Sequence, residues 1–373
     1  MSFRYAAGIN KPGYNPLAPP SLLYNLFSWG TNSNGQLGDG TTVSKSSPVQ
    51  IGSSYWTSID GGYSNTAAIK TDGTLWTWGK NTQGQLGLGN TTDYSSPKQV
   101  GSLTSWYKIS CSAYAVIATK TDGTLWSWGF NNFSGMLGLG NTTNYSSPKQ
   151  VGALTTWLQV SCGYSYVAAI KTDGTLWTWG GNSIGNLGLG NVTNYSSPKQ
   201  VGALTNWLKV SCSQYSTFAI KTNGTLWSWG YNNYGQLGLS NTTYYSSPVQ
   251  VGALTNWAFI NKGITSQFTV AVKTDGTLWS WGLNNYGQLG LGNTSNFSSP
   301  QQVGSLTNWL QVSTGQRYST AVKTDGTLWS WGLNNVGQLG LGNTTYYSSP
   351  KQVGASTTWL YTGSSNVTSL ALG

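Results

Sequence analysis

Apolar and polar positions along "AAIKTDGTLWTWG" (67–79) fall into two short runs separated by an Asp-Gly pair. Alternation of period two marks a half-buried strand, and Asp-Gly between two such runs is the strongest short-range hairpin signal. The segment therefore predicts a strand, a turn and a second strand, with Trp76 and Trp78 on one sheet face and Leu75 and Thr77 on the other. The following "NTQGQLGLGN" supplies glycines for positive φ or close backbone approach, and "SSPKQVG" places Pro97 where an outer strand can begin. No stretch of the chain sustains a helical period.

The same pattern recurs. The Trp-Gly pair appears at Trp29, Trp78, Trp128, Trp179, Trp229, Trp281 and Trp331, at intervals of 49 to 52 residues. Modules of this length with four short strands predict an all-β fold, a seven-bladed β-propeller over residues 24–373 in which each blade buries its faces against its neighbours. The first module, "LYNLFSWG", lacks the strand that elsewhere precedes the Asp-Gly turn, and the last ends on "NVTSLALG" (366–373), which supplies it. The propeller is thus expected to close by pairing of the C-terminal strand with the N-terminal blade, leaving no sheet edge open.

The motifs "WGxNxxGQLGLG", "SSPxQV" and "AxKTDGTLWSWG" resemble the RCC1-type repeat, whose family fold is a seven-bladed propeller. The resemblance covers residues 24–373 and implies an interaction module, in some members a regulator of a small GTPase or a chromatin binder. Two departures matter for function. Where the family often has a His ahead of the strand, this chain has Asn65, Ala115, Tyr166 or Ser216. Exchange factors of the family insert a wedge between strands, for which intervals of 49 to 52 residues leave no room.

Composition narrows the chemistry further. Lys plus Arg is 18 against 8 Asp plus Glu, with no His; every acid is an Asp, and the arginines are Arg4 and Arg317. Without imidazole there is no His-assisted nucleophile and no His-ligated metal, so no enzyme activity and no cofactor are expected. The net charge of +10 is spread over repeat positions (Lys70, Lys120, Lys171, Lys221, Lys273, Lys323), which predicts a solvated rim and no nucleic-acid groove. Cys111, Cys162 and Cys212 share one repeat position and read as small buried residues. The "TDGT" aspartates read as turn formers, and the "NTT"-type triplets as repeated turns that also fit a glycosylation pattern. All 20 tryptophans occupy repeat positions, which assigns them to packing.

What the fold leaves unexplained is the segment just before each "AIK" strand, where near-identical modules diverge toward Tyr, Gln, Asn and Arg. In a propeller these positions share one end of the channel, so Tyr63, Asn65, Tyr114, Tyr164, Tyr166, Gln214, Tyr215, Gln267, Gln316, Arg317, Tyr318 and Asn366 are expected to form a binding ring. Phe130, Phe133, Tyr231, Tyr234 and Tyr286 in the "GxNNxxG" loops form a weaker second set. Residues 1–23 read as an extended arm. Its Pro12 and Pro16, with Arg4, Tyr5 and Tyr14, suit it to lie along a partner, and it resembles the N-terminal anchors of phage tail or capsid-decorating proteins. The arm has no apolar signal-peptide core, and no membrane span is expected. The resulting expectation is a structural or attachment protein of a virion or an extracellular surface, tethered to other structural proteins of a larger assembly. A lectin-like binder of surface glycans is the alternative, and a cytoplasmic regulator of a GTPase or nucleic acid comes third.

Overall fold

The alternating runs become strands in the computed structural model, which describes residues 23–131, 134–260 and 263–373. The first five are β1 (Asn25–Gly30), β2 (Lys45–Gly61), β3 (Asn65–Lys70), β4 (Leu75–Gly79) and β5 (Tyr94–Gln99). The described residues hold 27 strands and no helix. The tether residues Arg4, Tyr5, Pro12, Tyr14 and Pro16 lie outside the described residues, as does Phe133.

The repeating unit is a four-stranded antiparallel blade. In blade 1 the second half of β2 pairs with β3, β3 with β4 and β4 with β5. The same order returns in five further four-stranded sheets, of which blade 2 begins at Trp106–Cys111 and blade 6 ends at Tyr347–Gln352. A seventh unit is assembled from both ends of the chain. Its strands are Tyr361–Ser364, Thr368–Leu372, β1 and the first half of β2. The long β2 therefore serves two blades: Gln50 and Val49 pair with Phe27 and Ser28, whereas Trp56 and Ser58 pair with Lys70 and Ile69.

The predicted hairpin is present in blades 1 to 6, with Asn223-Gly224 in place of Asp-Gly in blade 4. In blade 1, Gly73 has φ +78°, and the side chain of Asp72 accepts from the amide and hydroxyl of Thr74 at 2.9 and 2.6 Å. The seventh unit replaces this hairpin with the two chain ends. Asn25 donates to the Gly373 carbonyl at 3.0 Å, Gly373 donates back at 3.2 Å, and the Tyr24 carbonyl accepts from Trp56 as the Gly73 carbonyl accepts from Trp106. Pro97 sits inside the outer strand, not at its start. Proline is tolerated there because an edge strand has amides with no partner to lose.

The hydrophobic core is divided between blades. Ala115, Ile117, Leu125 and Val151 of blade 2 pack against Trp157, Val160, Val167 and Trp179 of blade 3. Equivalent clusters join blade 6 to the seventh unit through Trp29, Val322 and Trp359, and the seventh unit to blade 1 through Leu26, Trp56, Trp78 and Leu370. Each fully buried Trp-Gly indole also donates to a main-chain carbonyl of the preceding module. Trp78 reaches Gln36 at 3.0 Å, Trp179 reaches Met136 at 2.9 Å, and Trp29 reaches Gln338 at 3.0 Å. The glycines of "GQLG" make this approach possible. A Cβ on Gly87, at φ +73°, would lie 2.6 Å from the Trp128 indole nitrogen.

Candidate binding face

Each innermost strand runs from the hairpin end of its blade to a tight turn at the opposite end. In blade 2 that turn is closed by Ser112 donating to the Ala115 carbonyl at 2.8 Å, with Tyr114 at its tip. Neighbouring turns are tied together. Tyr164 N–H donates to the Gln214 carbonyl at 3.2 Å, and Gln316 N–H to the Asn366 carbonyl at 2.9 Å. A small polar residue one blade back accepts from the next innermost strand, as in Cys162 N–H to Ser110 Oγ at 2.8 Å and Cys212 N–H to Ser161 Oγ at 2.9 Å. The varied side chains thus stand on a knitted backbone.

Four of them form a continuous arc. The ring of Tyr63 stacks on Tyr114 at 6.2 Å, Tyr114 meets Tyr164 edge to face at 6.3 Å, and Tyr164 meets Tyr215 at 5.8 Å. All four are half-buried. Tyr215 extends the arc to Tyr231 at 6.4 Å, which touches Tyr234 and Tyr244, while Phe130 joins at Tyr114. The two sets that were separate in the sequence are therefore one surface. Burial, reinforced by a hydrogen bond to Tyr114 and the neighbouring phenols, pushes Tyr164 up to about 12, and burial raises Tyr215.

The opposite side of the same face is polar. Gln267, Gln316 and Arg317 are half-buried there, and Arg317 donates to the Tyr286 hydroxyl at 2.9 Å with its guanidinium 5.0 Å from that ring's centre. Tyr286 in turn meets Tyr346 at 5.7 Å. Several polar atoms around the turns have no hydrogen-bond partner among the described residues: both amide atoms of Asn65, Gln214 Oε1, Thr265 Oγ1 and Asn366 Oδ1. Buried polar groups are normally paired, by water or a ligand where the protein supplies nothing.

Two expected ring members face inward. Tyr166 and Tyr318 are fully buried, and their hydroxyls donate across the blade boundary to the Ser216 carbonyl at 2.8 Å and the Thr368 carbonyl at 2.7 Å. They sit at the first position of a strand whose side chains alternate into the interblade core, so they join blades and present no surface. Burial raises both phenols well above the usual tyrosine range. Asn65 and Asn366 are also buried, at 1% and 7% exposure, beneath the turns.

The repeat lysines correct a second expectation. Lys120, Lys171, Lys221, Lys273 and Lys323 are only 5–8% exposed, because each ammonium lies between two indoles. A solvated rim overlooks what a four-carbon stem can bury. The three aspartates outside the hairpins are each held by protein groups: Asp39 by Thr41, Asn32 and Lys45, Asp60 by the amide of Cys111 in the next blade, and Asp93 by the amide of Asn81. No helix of the described residues is long and apolar enough to cross a membrane.

Solved structures share this architecture. Prp20p from Saccharomyces cerevisiae, studied for binding to Gsp1p and histones, superposes with TM-score 0.83 at 20% identity over 95% of this chain and 92% of that one. Yeast RCC1 (Prp20) bound to Kap60 gives 0.84 at 20% identity over 100% and 94% of the two chains. Human WBSCR16 gives 0.83 at 21% identity over 94% and 99%. At such identities the likeness is one of fold. The family model of the RCC1-like domain matches residues 26–373. The chain belongs to the RCC1-like domain family.

Proposed function

We propose that the protein is a non-enzymatic attachment module: a closed seven-bladed ring, tethered through residues 1–23 to a virion or another surface-displayed assembly, whose tyrosine arc takes a protein partner. The observation that carries this reading is the placement of the two ends of the molecule. The described chain starts at Leu23 and Tyr24, where other blades have their Asp-Gly hairpin, while the arc lies at the far end of the strands. Strands of six residues separate the two faces by about 17 Å of backbone rise. An arm leaving the hairpin face can hold the assembly without covering the arc.

The chemistry of the arc suits a protein partner. Contiguous phenol rings offer large, rigid, amphipathic area at low entropic cost, and Arg317 on the same face adds directed donors. The solved neighbours include Prp20, whose structure bound to Kap60 is one of a protein of this fold with a protein partner. Docking to a GTPase or to nucleic acid has less support, since the sole arginine among the described residues is held by Tyr286. The test compares three forms in the native assembly: wild type, a form lacking residues 1–22, and the Tyr114→Ser, Tyr164→Ser, Tyr215→Ser triple variant. Deletion of the arm is expected to abolish incorporation, and the triple variant to incorporate normally but lose its partner. Normal incorporation without the arm contradicts the tether, and partner binding unchanged in the triple variant contradicts the arc.

A further inference from the structure

Between successive blades the outer rim opens into clefts, two of which enclose about 390 and 370 Å³. The first is lined by Trp106 and Trp126, with Gln99, Ser147 and Pro148 around them; the second by Trp56, Trp76 and Lys70, with Gln50, Ser54 and Pro97. Both combine aromatic walls with a few polar groups, at a boundary between structural units where ligand sites are commonly found.

Lys70 lines the second cleft, and Lys120 stacks on Trp126, a wall of the first; both cations are held in place. Lys70 Nζ lies 3.8 Å from the centre of the Trp76 ring and 5.3 Å from Trp56; Lys120 lies 3.7 Å from Trp126 and 5.0 Å from Trp106. The outer indole is itself fixed by its turn. Trp126 donates to Thr124 Oγ1 at 2.9 Å, which donates to Asp122 at 2.6 Å, so the wall of the cleft is rigid. The arrangement recurs at Lys171, Lys221, Lys273 and Lys323, with 3.6–3.8 Å to the outer indole in each case.

None of these six ammonium groups forms an ion pair among the described residues; the ion pair present is Lys45 with Asp39. Asp122, Asp173, Asp275 and Asp325 act on their lysines only at longer range, and burial lowers the pKa of Lys120, Lys171, Lys273 and Lys323. Asp39, the acid lining the second cleft, is already engaged by Lys45, and Leu88 lines the first cleft at the corresponding place. The seventh boundary differs. There Phe27 meets Trp359 at 4.9 Å, and Gly373 stands where the lysine would be.

From this we infer that the rim is a repeated receptor for carboxylated pyranoses, such as the uronic acids of an acidic polysaccharide, one residue per lysine-bearing cleft. The pyranose C–H face lies on the exposed part of the outer indole, and its carboxylate pairs with the outward side of the ammonium. A cation fixed between two rings loses little freedom on pairing, and six such lysine–indole pairs on one ring give a polymer avidity that a single weak site lacks. This inference is independent of the tyrosine arc. It concerns other residues on a different part of the molecule.

The experiment is calorimetric titration of the full chain with tetragalacturonic acid, beside a neutral galactose tetrasaccharide and dextran sulfate. The inference expects up to six sites, affinity for the neutral sugar lower by about tenfold or more, and loss of one site in each of Lys120→Met and Trp126→Ala. Lys221→Met, in a separate blade, repeats the count should one variant fold poorly, with near-ultraviolet circular dichroism reporting the fold. Absence of binding overturns the inference, as does equal affinity for the neutral sugar or a site count that neither variant changes. Dextran sulfate binding that matches tetragalacturonate and survives Trp126→Ala reads as bulk charge and overturns it equally.

Discussion

The Trp-Gly tryptophans and the inner-turn tyrosines are both aromatic, both repeated and both in contact with their own kind, yet they are spent differently. Trp179 is fully buried, touches Trp157 at 5.9 Å and gives its N–H to Met136. Tyr164 is half-buried, and the ring contacts on its two sides are to other tyrosines of the face. The difference is in what each side chain leaves unsatisfied. The indole has every demand met by the scaffold, whereas the half-buried phenol keeps part of its ring on the face.

The largest test of this contrast is stability. Trp179→Ala should cost about 3–5 kcal/mol in denaturant unfolding, the range for emptying a buried aromatic site. Tyr164→Ser, at a half-buried site on the face, should cost less, about 1 kcal/mol. A cost at Tyr164 equal to that at Trp179 would erase the distinction. Tyr166 sharpens it, since it is a tyrosine with a tryptophan's role. Tyr166→Phe strips the Ser216 carbonyl of a donor and should cost about 1–3 kcal/mol, with no effect on partner binding.

A further test is a pH dependence. Tyr164 titrates near 12 in the folded chain against an ordinary 10.0, so the folded state holds the proton more tightly. Its contribution to stability is complete below pH 10 and is lost as pH rises toward 12. Tyr164→Phe should therefore flatten the stability profile across that interval, measured by denaturant midpoint against pH. An unchanged profile would place the raised titration elsewhere.

Much of the blade was legible in the chain because its signals are local. "KTDGTLW" carries strand, turn and strand within seven residues, and the structure places the Asp72 turn and the Trp76–Trp78 face as read. The tyrosine arc was partly legible, because departure from an otherwise repeated segment marks positions that the fold does not fix. Tyr166 and Tyr318 were misplaced for a physical reason. Tyr318 follows Arg317 by one residue, a step that reverses the side of the backbone, and Tyr166 opens its strand just past the turn that carries Tyr164, so each is the first strand position and points into the core. The lysine clefts were not legible at all. Lys120 and Trp126 end one hairpin, but Trp106 joins them only through the pairing of its strand with that of Lys120, and the contact depends on how far a lysine stem folds back.

The arc's role is tested most directly by placing a photo-crosslinking amino acid at position 164, and as a control at Asn223 on the hairpin face of blade 4, within the native assembly. The account predicts one defined protein adduct from position 164 that is absent from position 223. The same adduct from both positions, or none from 164 in assemblies that retain the protein, would contradict it.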